Sequence, residues 1–185
     1  MAVFKIFVEK KPEYAVEASG VLSDIKTVLQ IKALKKVRVI NRYYVEGISE
    51  DVFNKCINTI FSEPQVDNAY SELNIKSNEK VFASEFLPGQ FDQRADSCEQ
   101  CIQIATQGVR PRVRTAKIFV LEGDISDLDF EKIKSYLINP VESRLATFNT
   151  PETLKAEYSI PTTVETINGF TEMTQDELAV FINDY

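Results

Sequence analysis

The sequence predicts an α+β protein built from two tandem βαβαβ halves. Three observations carry this reading. Strand-like and helix-like stretches alternate, the same order starts again near residue 79, and punctuating residues recur at a constant spacing. Pro12 and Pro88 lie 76 residues apart, as do Val37-Arg38 and Val113-Arg114, and Glu46-Gly47 and Glu122-Gly123. One inserted residue later, Ile48-Ser49 matches Ile125-Ser126 and Phe53 matches Phe130. Self-similarity at a fixed offset reads as an internal duplication.

In residues 3–9, Val3, Lys5 and Phe7 alternate with Phe4, Ile6 and Val8. Apolar groups on both faces predict a buried strand, which Pro12 ends. A helix to about Ile31 follows, with Val21, Leu22, Ile25, Val28 and Leu29 on one stripe. Val37–Gly47 is the second strand, with Val37, Val39, Tyr43 and Val45 on one face and Arg38, Arg42 and Glu46 on the other. Ser49 is a good N-cap, followed by Glu50 and Asp51 at the positive end of a helix dipole. That helix buries Val52, Phe53, Cys56, Ile57, Ile60 and Phe61 and stops at Pro64. A third strand falls around Asn68–Ile75.

The second half repeats the order. Lys80–Phe86 is a strand ended by Pro88, and Asp96–Thr106 is a helix. In it Asp96 and Glu99 are spaced as a capping box, with Cys98, Cys101, Ile102 and Ala105 on the core face. Val113–Gly123 is a strand, Ser126 with Asp129 starts a helix, Asn139-Pro140 stops it, and Ser143–Phe148 is the last strand. Residues 1–78 and 79–149 are therefore the two repeats. Residues 150–185 read as extended connection through Thr150-Pro151, Ile160-Pro161 and Thr162–Thr166. A helix then opens on the box Thr174–Glu177 with Leu178, Phe181 and Ile182. It has a start and no C-cap before Tyr185, which leads us to expect further polypeptide beyond it.

A half of roughly 75 residues buries only about 60% of its unfolded surface and is marginal alone. The expected arrangement is two antiparallel sheets related by a pseudo-twofold, like the subunits of a fused isologous dimer, each hiding its second apolar face on its duplicate.

Composition narrows the function. The 185 residues are 44% hydrophobic and carry a formal net charge of −7. The acidity argues against nucleic acid or an anionic membrane as partner, and no apolar run is long enough to span a bilayer. Three cysteines point to reduced thiols and a cytoplasmic setting. There is no histidine, no GxxxxGK[ST] and no GxGxxG. Triads, His-containing zinc sites and glycine-rich phosphate cradles are thereby excluded, and with six glycines, no catalytic, cofactor-binding or metal residue is assigned. Cys98-x-x-Cys101 lacks a partner set and reads as core packing, since Cys101 corresponds to Ile25 at the 76-residue offset. Arg110, Arg112 and Arg114, with Arg38 and Arg42, read as solvated strand faces or contacts to acidic neighbours.

The densest polar run follows the Pro88-Gly89 turn: Gln90, Phe91, Asp92, Gln93 and Arg94. Local structure explains Asp96 as a cap and Asp92 with Arg94 as a surface pair. It does not explain the rest, and the corresponding Tyr14–Ala18 lacks that polar density. These five residues are the candidate site, read as a domain interface or a ligand contact.

The runs EFLPGQFDQRADSCEQCIQ (Glu85–Gln103), NPVESR (Asn139–Arg144), IPTTVE (Ile160–Glu165), VFKIFVEKKP (Val3–Pro12) and NRYYVEGIS (Asn41–Ser49) carry a resemblance. The chain resembles, end to end, the N-terminal region of the single-chain phosphoribosylformylglycinamidine synthases. Cys98 and Glu99 stand where that family usually has small residues. The resemblance implies an enzyme of purine biosynthesis that converts formylglycinamide ribonucleotide to its amidine with ATP, magnesium and glutamine. Its glutaminase and synthase domains carry the catalytic residues, and this region is an accessory scaffold that partners them, similar to a fused dimer of the family's small accessory subunit. No cofactor is expected in this region, and self-association of the isolated piece is left open. The competing reading is a free-standing regulatory module of duplicated ferredoxin-like halves that binds a small metabolite.

Overall fold

The structure, a computed structural model, describes residues 2–155, 162–163, 166–167 and 169–184. The part up to Lys155 is one compact unit. In chain order it contains β1 (Val3–Lys10), α1 (Val16–Thr27), β2 (Leu34–Glu46), α2 (Glu50–Cys56), β3 (Asp67–Tyr70), β4 (Glu79–Phe86), α3 (Gln93–Thr106), β5 (Arg112–Gly123), α4 (Asp127–Leu137) and β6 (Ser143–Leu145). The strands form a single antiparallel sheet of order β3-β1-β2-β5-β4-β6. This is an α+β fold compatible with ferredoxin-like halves.

The halves meet edge to edge through β2 and β5, the two longest strands, and not face to face as expected. Asn41 pairs with Lys117, its own counterpart at the 76-residue offset. The outer pairings keep the same relation. Val3 opposite Glu46 recurs as Glu79 opposite Glu122, and Val8 opposite Ala69 recurs as Ser84 opposite Leu145. A pseudo-dyad therefore passes through the Asn41–Lys117 pair.

All four helices lie on one face, where they cross between halves. α1 and α4 cover Val37, Val39, Phe119 and Leu121, while α2 and α3 cover Tyr43, Val45 and Val113. The N-caps explain the helix starts. Ser49 accepts from the Val52 N–H at 3.4 Å, and Ser126 accepts from the Asp129 N–H at 3.1 Å. α2 continues into a π-helical turn, Ile57–Phe61, and the expected face holds: Phe53, Cys56 and Phe61 are buried, with Val52, Ile57 and Ile60 against them. α1 is shorter than its apolar stripe. It ends at Thr27, Gln30 turns the chain with φ 59°, and Val28 is exposed.

The opposite face of the sheet is apolar too, with Phe7, Ile40, Ala83, Ile118 and Val120 buried. Two irregular segments cover it. Leu73 and Ile75 leave β3 and pack on it, and Ala146 leads a strap that runs along β2 to Lys155. Arg42 donates to the Thr147 carbonyl, Tyr44 to those of Phe148 and Asn149, and Glu46 accepts from the Thr153 hydroxyl and the Leu154 N–H. The last strands of both halves are accordingly shorter than their apolar runs, and residues 150–155 belong with the sheet.

A second compact unit follows. Its helix α5 (Gln175–Asp184) opens on the expected box: the Glu177 carboxylate accepts from the Thr174 N–H at 2.7 Å, and Thr174 Oγ accepts from the Glu177 N–H at 3.4 Å. Leu178 and Phe181 are half-buried, Phe181 meeting the edge of Phe170, while Ile182 is exposed against expectation. The connection expected at Ile160-Pro161 lies outside the described residues, as do parts of the Thr162–Thr166 run.

Candidate functional site

The polar run sits at the start of α3, but not as a projecting loop. The cap is Asp92 and not Asp96: Asp92 Oδ1 accepts from the Ala95 N–H at 2.9 Å, so Gln93 and Arg94 are already helical. Asp92 Oδ2 reaches β5, accepting from the Thr115 hydroxyl at 2.7 Å and its N–H at 3.3 Å. One carboxylate thus satisfies an orphan helix donor and ties the helix to the sheet. Arg94 reaches across to β2 and donates to the Tyr43 hydroxyl at 3.1 Å, so it is not a surface partner of Asp92. Asp96 instead pairs with Arg110, which also holds Glu99 at 2.9 Å.

Around this helix start lies an open groove of about 870 Å³ on the helix-bearing face. Phe91, Asp92, Gln93 and Arg94 form one wall, and Tyr43, Asn41 and Lys117 the floor, so the groove sits over the pseudo-dyad. Lys117 pairs with Glu17 of α1. Phe91 is 69% exposed, and Gln90 and Gln93 are exposed beside it. The structure thus brings the five candidates together but divides their work. Asp92 and Arg94 anchor the segment, while Gln90, Phe91 and Gln93 are displayed. Burial raises the Tyr43 phenol above its ordinary value, opposed by the neighbouring Arg94.

The cysteines separate. Cys98 is buried beside Arg94, and burial pushes its thiol up to about 12, far from the thiolate that nucleophilic chemistry requires. Cys101 is exposed, contrary to the core position expected for it. The reason is a one-residue shift. α3 buries Ala95, Cys98 and Ile102 where α1 places Ala18, Val21 and Ile25, an offset of 77 instead of 76. Among the described residues no group of three or more His, Cys, Asp or Glu is placed to hold a metal ion.

A second cavity, of about 340 Å³, opens on the other face between β2, β4, β5, β6 and the strap. Sequence reasoning missed it. Arg42 is 1% exposed, with its guanidinium 4.4 Å from the Tyr44 ring centre. Its Nη2 lies 3.7 Å from Glu85, and its Nε has no hydrogen-bond partner among the described residues. A buried unsatisfied donor costs about 1–3 kcal/mol, more when charged. Burial pushes this guanidinium below its ordinary value, and Arg114 nearby adds to that. The signal was present in the sequence: Arg42 corresponds at the 76-residue offset to Ile118.

No protein-family model matches the chain, and comparison with curated proteins finds no match either. No helix among the described residues is long and apolar enough to cross a membrane.

Proposed function

We propose that this chain is the non-catalytic N-terminal accessory domain of a phosphoribosylformylglycinamidine synthase, a cytoplasmic enzyme of purine biosynthesis. In this role it holds the glutaminase and synthase domains together and helps to couple them. ATP and magnesium belong to those domains. One observation carries the reading. The most specific run of the resemblance, PGQFDQRADS, is anchored to β5 through Asp92 and to β2 through Arg94, while Phe91 and Gln93 are exposed beside Gln90, whose exposed amide donates to the Val141 carbonyl at 3.5 Å. A segment braced from behind with an aromatic and two amides outward has the make-up of a docking surface, where preorganised aromatic anchors supply most of the energy. The absence of histidine supports a supporting role, since glutamine hydrolysis needs a thiolate and usually a histidine base.

The test supplies this chain to the synthase and glutaminase domains encoded with it. Glutamine-dependent amidine formation should need the chain, and Phe91→Ala with Gln93→Ala should lower it while ammonia-dependent synthesis persists. Unchanged glutamine-dependent activity without the chain would refute the reading. A second reading, a free-standing regulatory module for a small metabolite, is favoured by the cavity at Arg42. It predicts that the chain binds such a metabolite and engages neither catalytic domain.

A further inference from the structure

We propose that the cavity at Arg42 binds a small phosphate-bearing ligand, held by the guanidiniums of Arg42, Arg114 and Arg144. Three of its lining residues are arginines and one is a carboxylate, in a chain whose net charge is −7. Glu85 does not neutralise them. It is engaged by Arg144 through Nε at 3.0 Å and Nη2 at 2.9 Å, and Arg42 stands off at 3.7 Å. The Arg114 guanidinium makes no ion pair or hydrogen bond among the described residues. Two positive charges are thus left around the cavity, and Arg42, which lines it, keeps its buried Nε without a partner among the described residues.

The other half of the molecule is an internal control. Arg38, the counterpart of Arg114, is held by Glu9, the counterpart of Glu85, at 2.8 and 2.7 Å. Where the second half has Arg144, the first has Asn68, and where Arg42 projects, the counterpart is Ile118. Asn149 and Pro151 line the cavity, while their counterparts Leu73 and Ile75 pack into the core. The fold is complete on that side with one paired arginine. The additional arginines and the open volume are therefore not demanded by the sheet.

The chemistry selects the ligand. A surplus of two guanidinium charges suits a dianion, and a phosphate monoester carries about −1.5 to −2 at neutral pH with three acceptor oxygens for forked donors. A volume of about 340 Å³ admits a small molecule and no polymer. The site lies on the face away from the groove and does not depend on the accessory role.

The purified chain is titrated with inorganic phosphate and with glycerol 3-phosphate at constant ionic strength set by chloride, followed by the arginine Nε–H resonances. Saturable binding that moves the Arg42 Nε–H is expected. Arg114→Gln should weaken it roughly tenfold or more, the worth of one charge-assisted contact, and Arg144→Gln likewise. Arg38→Gln should leave it unchanged. Because Arg42→Gln could fail to fold, the half-exposed Arg114 and Arg144 decide the matter. Absence of saturable binding, equal binding by Arg114→Gln, or binding of succinate in place of phosphate would each overturn the proposal.

Discussion

The bond between Arg94 and Tyr43 measures how firmly the displayed segment is braced. Arg94→Ala removes the donor to a phenol that is 3% exposed. In a dry interior the stranded hydroxyl would add about 1–3 kcal/mol to the loss. Tyr43 also lines the open groove, so water can take the place of the guanidinium. The desolvation penalty then largely disappears and the cost falls to about 1 kcal/mol. For a chain of this length that lowers Tm by roughly 2–4 °C. Tyr43→Phe should cost about as much or less, and the double variant no more than either alone, giving a coupling of about 1 kcal/mol in a double-mutant cycle. Denaturant unfolding of the four proteins reads it directly. Additive effects would show that the bond does not brace the segment. A loss above about 4 kcal/mol for Arg94→Ala would make it a structural latch and leave the docking argument without its anchor-and-display logic.

With thiol reagents, the native protein should show one rapidly reacting cysteine, removed by Cys101→Ser, while Cys56 and Cys98 react only on unfolding; fast labelling of Cys98 would contradict its raised thiol value. The Glu46 carboxyl is held below the usual carboxylate range, first by the Leu154 N–H and then by the Thr153 hydroxyl. Its contribution is therefore present above its unfolded value of about 4.3 and lost as pH falls through the lower folded one. Protection factors of the amides in residues 147–155, corrected for the intrinsic slowing of exchange in acid, should fall on acidification in the wild type, with a weaker pH response in Glu46→Gln. At Gly123, φ is 158° and an added Cβ would lie 2.5 Å from the Ala33 carbonyl oxygen; its counterpart Gly47 has φ 98° and meets nothing closer than 3.7 Å. Thermal denaturation should show Gly123→Ala losing on the order of 3 kcal/mol or more and Gly47→Ala about 1–2, and the reverse order would be wrong for this sheet.

Elements governed by local chemistry were legible in the sequence. Ser49 and Ser126 start their helices as their caps and following acids require, and β2 and β5 follow their apolar alternation. Elements decided at a distance were not. Asp92 and Asp96 are both acceptable caps by type, and Asp92 prevails because its second oxygen is satisfied by Thr115, 23 residues on. Cys101 looked buried because helical spacing and the single offset both put it on the core face, whereas α3 has slipped by a residue relative to the strands and leaves Cys101 and Ala105 exposed. The joining of the halves was ambiguous for a simpler reason. A strand apolar on both faces must be covered twice, and periodicity does not say whether by a second sheet or by straps such as 146–155. Four of the five candidate residues line the groove, but which would anchor and which would be displayed depended on Tyr43 and Thr115, contributed by other strands.

The pair on the pseudo-dyad has a consequence for what such a molecule can become. In a homodimer, whatever residue occupies this position must face a copy of itself, and two lysines directly opposed across an antiparallel pair would repel. Here Asn41 faces Lys117, so the lysine meets a neutral amide and is free to reach Glu17. Covalent linkage also makes the pairing of β2 with β5 intramolecular, so the sheet should survive dilution that would separate two subunits. Each half is thereby released from matching the other, and a charge or an opening can be placed on one side alone.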